Sequence, residues 1–223
     1  CSSRGAQRTR NSDALAVVDS GTCMAFVVAD GVGAMGASPL ASTVAASAAA
    51  DWARSRFAVA LDEVPSLLTS VNDAVANALR ERGEAGATTL ACAIVADSSA
   101  IVATIGDSEV LAIGPAGAAR RLNELDHVPG RPNVLLAWID GEAEFELHAV
   151  ALDALPYRMC LVTDGIVKVL DYRRIATIVR KTPPSIAARA LVLAAQDFGA
   201  TDDVTALVFS ADLAADTRLN AAF

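Results

Sequence analysis

The chain has 223 residues, 53% of them apolar but only 4% aromatic, so its core must be built from Ala, Val, Leu and Ile. A formal net charge of −8 and a pI near 4.7 argue against nucleic acid or an anionic membrane as partner, since both demand a basic face. No stretch approaches the ~20 uninterrupted apolar residues of a membrane span, and the start carries Arg4, Arg8 and Arg10 without an apolar segment, so neither a span nor a signal peptide is expected.

At this length the chain suits one domain, residues 1–223, with 1–4 and 212–223 irregular. Leu15–Val18 and Cys23–Ala29, separated by Asp19-Ser20-Gly21, predict a hairpin. Ser38 at the cap and Pro39 at the first helical position open an Ala-rich helix to about Phe57. A second helix runs from about Leu61 to Arg82, with Leu67, Leu68, Val71, Val75 and Leu79 on one face and Gly83 as its stop. Short strands follow over Thr88–Ala96, Ala100–Ile105 and Val110–Ile113. Arg120–Gly141 has no clear pattern, and Glu144–Ala151 alternates as a weaker strand with His148 on its polar side, expected in solvent. Arg158–Thr163 is a strand, Gly165–Lys181 mostly helix, Pro183-Pro184-Ser185 start another helix through about Phe198, and Val204–Phe209 is the last strand.

Helices come in groups instead of alternating singly with strands, which favours antiparallel sheets flanked by helices over a doubly wound parallel sheet. Cys23, Cys92 and Cys160 sit inside apolar runs with no C-x-x-C spacing and are expected as buried free thiols, which suits a reducing cytosol and a cytoplasmic protein. A leading Cys1 fits a processed or lipidated terminus as well as a truncated one. Trp52 and Trp138 are expected to pack, and Arg173-Arg174 and Arg180-Lys181 to form a solvated helical face.

Chemistry concentrates where strands end. Val27-Val28-Ala29-Asp30-Gly31-Val32-Gly33 runs from apolar strand into a carboxylate and a glycine turn. Leu161-Val162-Thr163-Asp164-Gly165 does the same, and Thr201-Asp202-Asp203 precedes the last strand. Glycine permits the tight turn, and three aspartates at strand ends make a plausible all-oxygen pocket for a hard divalent cation.

Ordered motifs sharpen this. Arg8-Thr9-Arg10-Asn11-Ser12-Asp13 is similar to R-x-x-N-E/Q-D, and Ala29-Asp30-Gly31-Val32-Gly33 to A-D-G-M-G. Gly86-Ala87-Thr88-Thr89 is similar to G-S/A-T, Ile105-Gly106-Asp107-Ser108 to V-G-D-S, Thr163-Asp164-Gly165 to S-D-G, and Asp202-Asp203-Val204-Thr205 to D-N-I/V-T. Together they resemble the metal-dependent protein phosphatases (PPM family, type-2C serine/threonine phosphatases) in a short bacterial form. The resemblance implies an α+β fold, a four-layer α-β-β-α sandwich of two antiparallel sheets between helices. It implies hydrolysis of phosphoserine and phosphothreonine in proteins by a metal-bound hydroxide, with two Mn²⁺ or Mg²⁺ ions.

Carried over, Asp30 would bridge both metals and the Gly31 carbonyl would bind one; Asp164 and Asp202 would complete the second. Asp13 would hold metal-bound water one layer out, Arg8 would pair with the substrate phosphate, and Asp107 would help hold a third, weaker ion. The implied partners are a phosphorylated protein and a cognate serine/threonine kinase. Four positions depart from the pattern. Met35 stands where many members carry a histidine proposed as general acid, and Ser12 where they carry an acidic or amide residue. Lys168 stands where several carry another aspartate, and Ala34 replaces a glycine. These departures keep open a second reading, a pseudophosphatase or regulatory, partner-binding domain on the same fold.

Overall fold

The computed structural model describes residues 1–33, 35–56, 60–142 and 147–210. In chain order the elements are β1 (Ser2–Ser3), β2 (Ala14–Asp19), β3 (Met24–Ala29), α1 (Ser38–Arg54) and α2 (Val64–Arg82). There follow β4 (Leu90–Ala96), β5 (Ser99–Ile105), β6 (Glu109–Ile113), β7 (Ala119–Arg121), β8 (His127–Val128), β9 (Arg131–Leu135) and β10 (His148–Leu152). The last are β11 (Arg158–Val162), α3 (Asp164–Val167), α4 (Tyr172–Lys181), α5 (Pro184–Asp197) and β12 (Val204–Ser210). Two sheets carry the structure, ordered β1-β12-β11-β6-β7 and β10-β5-β4-β3-β2, with β8-β9 as a small separate ribbon. Every pairing is antiparallel.

The layering follows from the two-residue period of strands. In β3 and β4, Ala25, Val27, Leu90, Cys92 and Ile94 pack beneath α1 and α2. Their alternates Phe26, Val28, Ala91, Ala93 and Val95 instead meet Met159, Leu161 and Phe209 of the opposite sheet. In β11, Cys160 and Val162 face the cluster formed with α3, α4 and α5. Both faces of each central strand are thus buried, and the result is the four-layer α-β-β-α sandwich. The rings of Phe26 and Phe209 stack across the middle with centroids 3.7 Å apart. With few aromatics, close approach is achieved by small side chains: α1 lays Ala41, Ala45, Ala46, Ala49 and Ala53 on the sheet. In α2, Leu67, Val71, Val75 and Leu79 are the buried stripe, and Gly83 ends the helix with φ +64°.

Several boundaries differ from expectation. Residues 2–3, expected irregular, form β1, because Ser2 and Ser3 pair with Thr205 and Val204. Ser38 does not cap α1; Ala37 holds that position without a side-chain bond, and the Ser38 hydroxyl donates to the Val32 carbonyl at 2.8 Å. The helical stretch after Gly165 is broken into α3 and α4 because Asp171 caps a new start, its Oδ1 accepting the Arg174 amide at 2.7 Å. His148 is not free in solvent: its Nε2 lies 2.7 Å from Asp126 Oδ1. Cys23, Cys92 and Cys160 are buried free thiols, as expected. No described helix is long and apolar enough to cross a membrane. Phe57, Ala34, residues 144–146 of the alternating stretch and the tail at 212–223 lie outside the described residues.

Candidate active site

Asp30 follows the last residue of β3, and two threonines fix that strand end. The Thr88 hydroxyl and the Thr89 amide both donate to the Asp30 carbonyl at 2.9 and 2.8 Å, while the Asp30 amide donates to Thr89 Oγ1 at 3.0 Å. Gly31 is demanded by crowding: a Cβ there would sit 2.7 Å from the Ser12 carbonyl oxygen. Asp107 lies on the β5–β6 turn. The Gly106 amide in that turn donates to Asp126 Oδ2 at 2.8 Å, so the Asp126–His148 pair braces it.

Asp164 opens α3 directly after β11. Gly165 lets that helix start press against the 202–203 loop, since a Cβ would fall 2.0 Å from the Asp203 carbonyl oxygen. Asp203 itself is buried and serves the backbone: its two oxygens accept the amides of Gly5 at 2.8 Å and Ser12 at 2.7 Å. This ties the N-terminal segment, which carries Arg8 and Asp13, to the start of β12. Asp13 Oδ2 accepts the Thr163 hydroxyl at 2.9 Å, and that hydroxyl oxygen in turn accepts the Thr205 amide at 3.0 Å.

Carboxylate oxygens of Asp30, Asp107 and Asp164 lie within 4.8 Å of one another. Asp164 Oδ1 and Asp13 Oδ1 are buried and have no hydrogen-bond partner. Asp202 stands to the side, its Oδ1 engaged by Arg8, with Nε at 2.7 Å and Nη2 at 2.5 Å. Lys168 Nζ contacts Asp164 Oδ2 and lies 3.7 Å from Asp202 Oδ2. Arg8 is therefore held by a carboxylate where a phosphate contact is expected. Asp107, expected to help hold a third, weaker ion, has an oxygen within 4.8 Å of those of Asp30 and Asp164.

The electrostatics need a cation. Burial first, then the charges of Asp13, Asp164, Asp107 and Asp202, raises the Asp30 carboxyl well above its usual range. Burial likewise pushes Asp107 up to about 7, with Asp164 adding to it. Asp13 also rises to about 7, through burial and the charges of Asp203 and Asp164 against the opposing Thr205 and Thr163 bonds. Desolvation and like-charge repulsion both disfavour the ionised forms, and a hard divalent ion would reverse both. Orphaned buried oxygens and an all-oxygen donor set fit Mg²⁺ or Mn²⁺.

Arg8, Asp30, Asp107, Asp164, Lys168 and Asp202 line an open cavity of about 480 Å³ with Gly31, Val32, Gly33, Met35, Thr89, Val134, Leu135 and Trp138. Trp138, expected only to pack, is a wall of the site, and its Nε1 donates to Asp140 Oδ2 at 2.8 Å. It comes from the stretch that had no readable pattern. The Ile139–Thr88 bridge, with amide–carbonyl bonds of 2.9 and 2.8 Å, delivers it to the Asp30 turn. A Trp amid turn residues was the one available signal. Asp203 and Thr163 stood inside quoted motifs, but the sequence does not distinguish a carboxylate that holds backbone from one that faces the cavity.

A family model described as Protein phosphatase 2C matches residues 2–198. No curated protein matches the sequence. Among solved structures, the chain is similar to the serine/threonine phosphatase Stp1 from Staphylococcus aureus, with TM-score 0.83, 17% identity, and 94% of this chain and 92% of that one covered. It is also similar to the Mycobacterium tuberculosis serine/threonine phosphatase PstP/Ppp, with TM-score 0.82, 20% identity, and 93% and 95% covered. A third is PppA, a key regulatory component of T6SS in Pseudomonas aeruginosa, with TM-score 0.76, 28% identity, and 93% and 94% covered. At the two lower identities the likeness is one of fold, and it extends over both chains almost end to end. With the family model spanning most of the sequence, the chain belongs to the protein phosphatase 2C family.

Proposed function

We propose that the protein is a divalent-metal-dependent phosphatase acting on phosphoserine and phosphothreonine in proteins. The observation that supports it most directly is the convergence of Asp30, Asp107 and Asp164 oxygens within 4.8 Å in an open cavity. Asp30, Asp164 and Asp202, with the Gly31 backbone, are the residues we assign to holding Mn²⁺ or Mg²⁺, and Asp107 joins them. Bound divalent ions supply Lewis acidity, polarising phosphoryl oxygens and making a water acidic enough to attack phosphorus near neutral pH.

The chain's own groups do the rest. Asp13, held by Thr163, has a buried oxygen without a hydrogen-bond partner, free to accept from a water. Arg8, on turning from Asp202, offers a guanidinium fork to the phosphate. Val134, Leu135 and Trp138 add an apolar part to the cavity lining. Met35 has no proton to donate, so a general acid is missing from that position and the leaving alkoxide must be protonated from elsewhere. Buried free thiols suit a reducing compartment, and we place the protein, as one domain, in the cytoplasm opposite a serine/threonine kinase.

The test is Mn²⁺-dependent hydrolysis of p-nitrophenyl phosphate and of a phosphothreonine peptide, with Asp30→Asn and Asp164→Asn as controls. We expect turnover by the wild type and a loss of ~10³-fold or more in each variant, as for loss of a principal electrostatic group. Lys168 on Asp164 is the contact that most favours a non-catalytic scaffold, alongside the missing acid at Met35. No wild-type turnover with Mn²⁺ bound would establish that reading instead.

A further inference from the structure

Lys168 lies four residues past Asp164 and one helical turn on, so its side chain returns to the same face. It is more than a surface pair. Its Nζ contacts Asp164 Oδ2 and lies 3.7 Å from Asp202 Oδ2, joining two carboxylates from separate elements. Arg8 holds Asp202 from the other side. The chain's own cations therefore occupy the oxygens that a second divalent ion needs, while Asp30, Asp107 and the rest of Asp164 form a nest for one.

Charge counting points the same way. Four carboxylates (Asp30, Asp107, Asp164, Asp202) and two cations (Arg8, Lys168) line the cavity, a formal balance of −2. One divalent ion cancels it and a second inverts it. The Lys168 side chain is 41% exposed, so its ammonium has a path out to water. A flexible, strongly hydrated lysine leaves such a position more readily than a guanidinium fork.

We propose that Lys168 is a resident counter-cation: it holds the place of one divalent ion between Asp164 and Asp202. The chain then binds a first ion tightly, and a second only by displacing the ammonium. This rests on the phosphatase reading above and specifies its metal loading. Lys168 is a positioning residue, acting through Asp164 and Asp202.

The test is Mn²⁺ binding to the metal-free protein by titration calorimetry and by electron paramagnetic resonance of free Mn²⁺, neither of which needs turnover. Wild type is expected to show one tight ion and a second weaker by about tenfold or more, the scale of removing one charge from a partly buried site. Lys168→Met should bring the second ion to nearly the affinity of the first. Lys168→Arg, which keeps the charge, should retain the two classes. Superimposable isotherms for wild type and Lys168→Met overturn the proposal. So do two equally tight ions in the wild type, and if that protein also turns over with Mn²⁺, the phosphatase reading survives. An absence of Mn²⁺ binding in every form overturns both.

Discussion

Arg8 grips Asp202 through one oxygen: Nε at 2.7 Å and Nη2 at 2.5 Å both meet Oδ1, leaving Oδ2 toward Lys168 at 3.7 Å. At rest the arginine braces Asp202, and in the proposed reaction it would turn to meet the phosphate. Arg8→Ala should raise KM for p-nitrophenyl phosphate about tenfold or more, the scale of one charge-assisted hydrogen bond. Steady-state kinetics should show kcat falling less than KM rises. Arg8→Lys should recover only part of the loss, because an ammonium cannot fork.

Asp13 and Asp107 sit at about 7 against an ordinary value of 3.8, with burial the first cause in both. A carboxyl whose folded pKa is raised keeps its proton in the fold after the unfolded chain has released it. Its contribution to stability is full below the unfolded value and is lost as pH rises through about 7. The melting temperature of the metal-free protein should therefore fall between about pH 4 and about pH 7, less the contributions of other groups. Added Mn²⁺ should raise it, and more so at the higher pH, because the ion favours the ionised carboxylates. Scanning calorimetry with and without chelator checks both signs.

Met35 lines the cavity at 40% exposure and cannot donate a proton. Met35→His should supply a general acid beside the leaving group. The gain should be about tenfold or more in kcat on a phosphothreonine peptide, whose alkoxide needs protonation. It should be small on p-nitrophenyl phosphate, whose leaving group departs unaided. Equal gains on the two substrates would mean that the histidine acts by binding, not by proton transfer.

Gly165 has no room for a methyl group: its Cβ would meet the Asp203 carbonyl oxygen at 2.0 Å. Gly165→Ala should cost about 1–3 kcal/mol or more, the range for overpacking, read from urea unfolding. The same change pushes Asp164 off the 202–203 loop, so Mn²⁺ affinity should drop alongside stability.

The sandwich was legible because its strands are short, β-branched and separated by turn residues, and because α2 carries an unbroken stripe from Leu67 to Leu79. Asp30 and Asp164 stood out for a different reason: Asp-Gly alone is an ordinary turn, but the same apolar run ending in Asp-Gly recurs at two distant strand ends. What escaped depends on contacts far apart in sequence. Asp203 reads like Asp202, yet it caps Gly5 and Ser12. Nothing around His148 names Asp126 as its partner, 22 residues away. The α3–α4 break carries neither Gly nor Pro and rests on the Asp171 cap alone. Trp138 is placed by a single bridge to Thr88, which local pattern cannot express.

The bonds from Gly5 and Ser12 to Asp203, and from Arg8 to Asp202, span 198, 191 and 194 positions. The pocket is therefore closed by a clasp whose halves are synthesised at opposite times. A ribosome that has extruded both helical layers has still not delivered β12, and until Asp202 and Asp203 ahead of it emerge, Arg8, Gly5 and Ser12 lack their partners. A nascent chain can thus compact its α1–α2 half early, yet it completes the pocket only when this late strand slots in beside β11. Removing Asp203 should for that reason act on assembly of the pocket as a whole, not on any single step of hydrolysis.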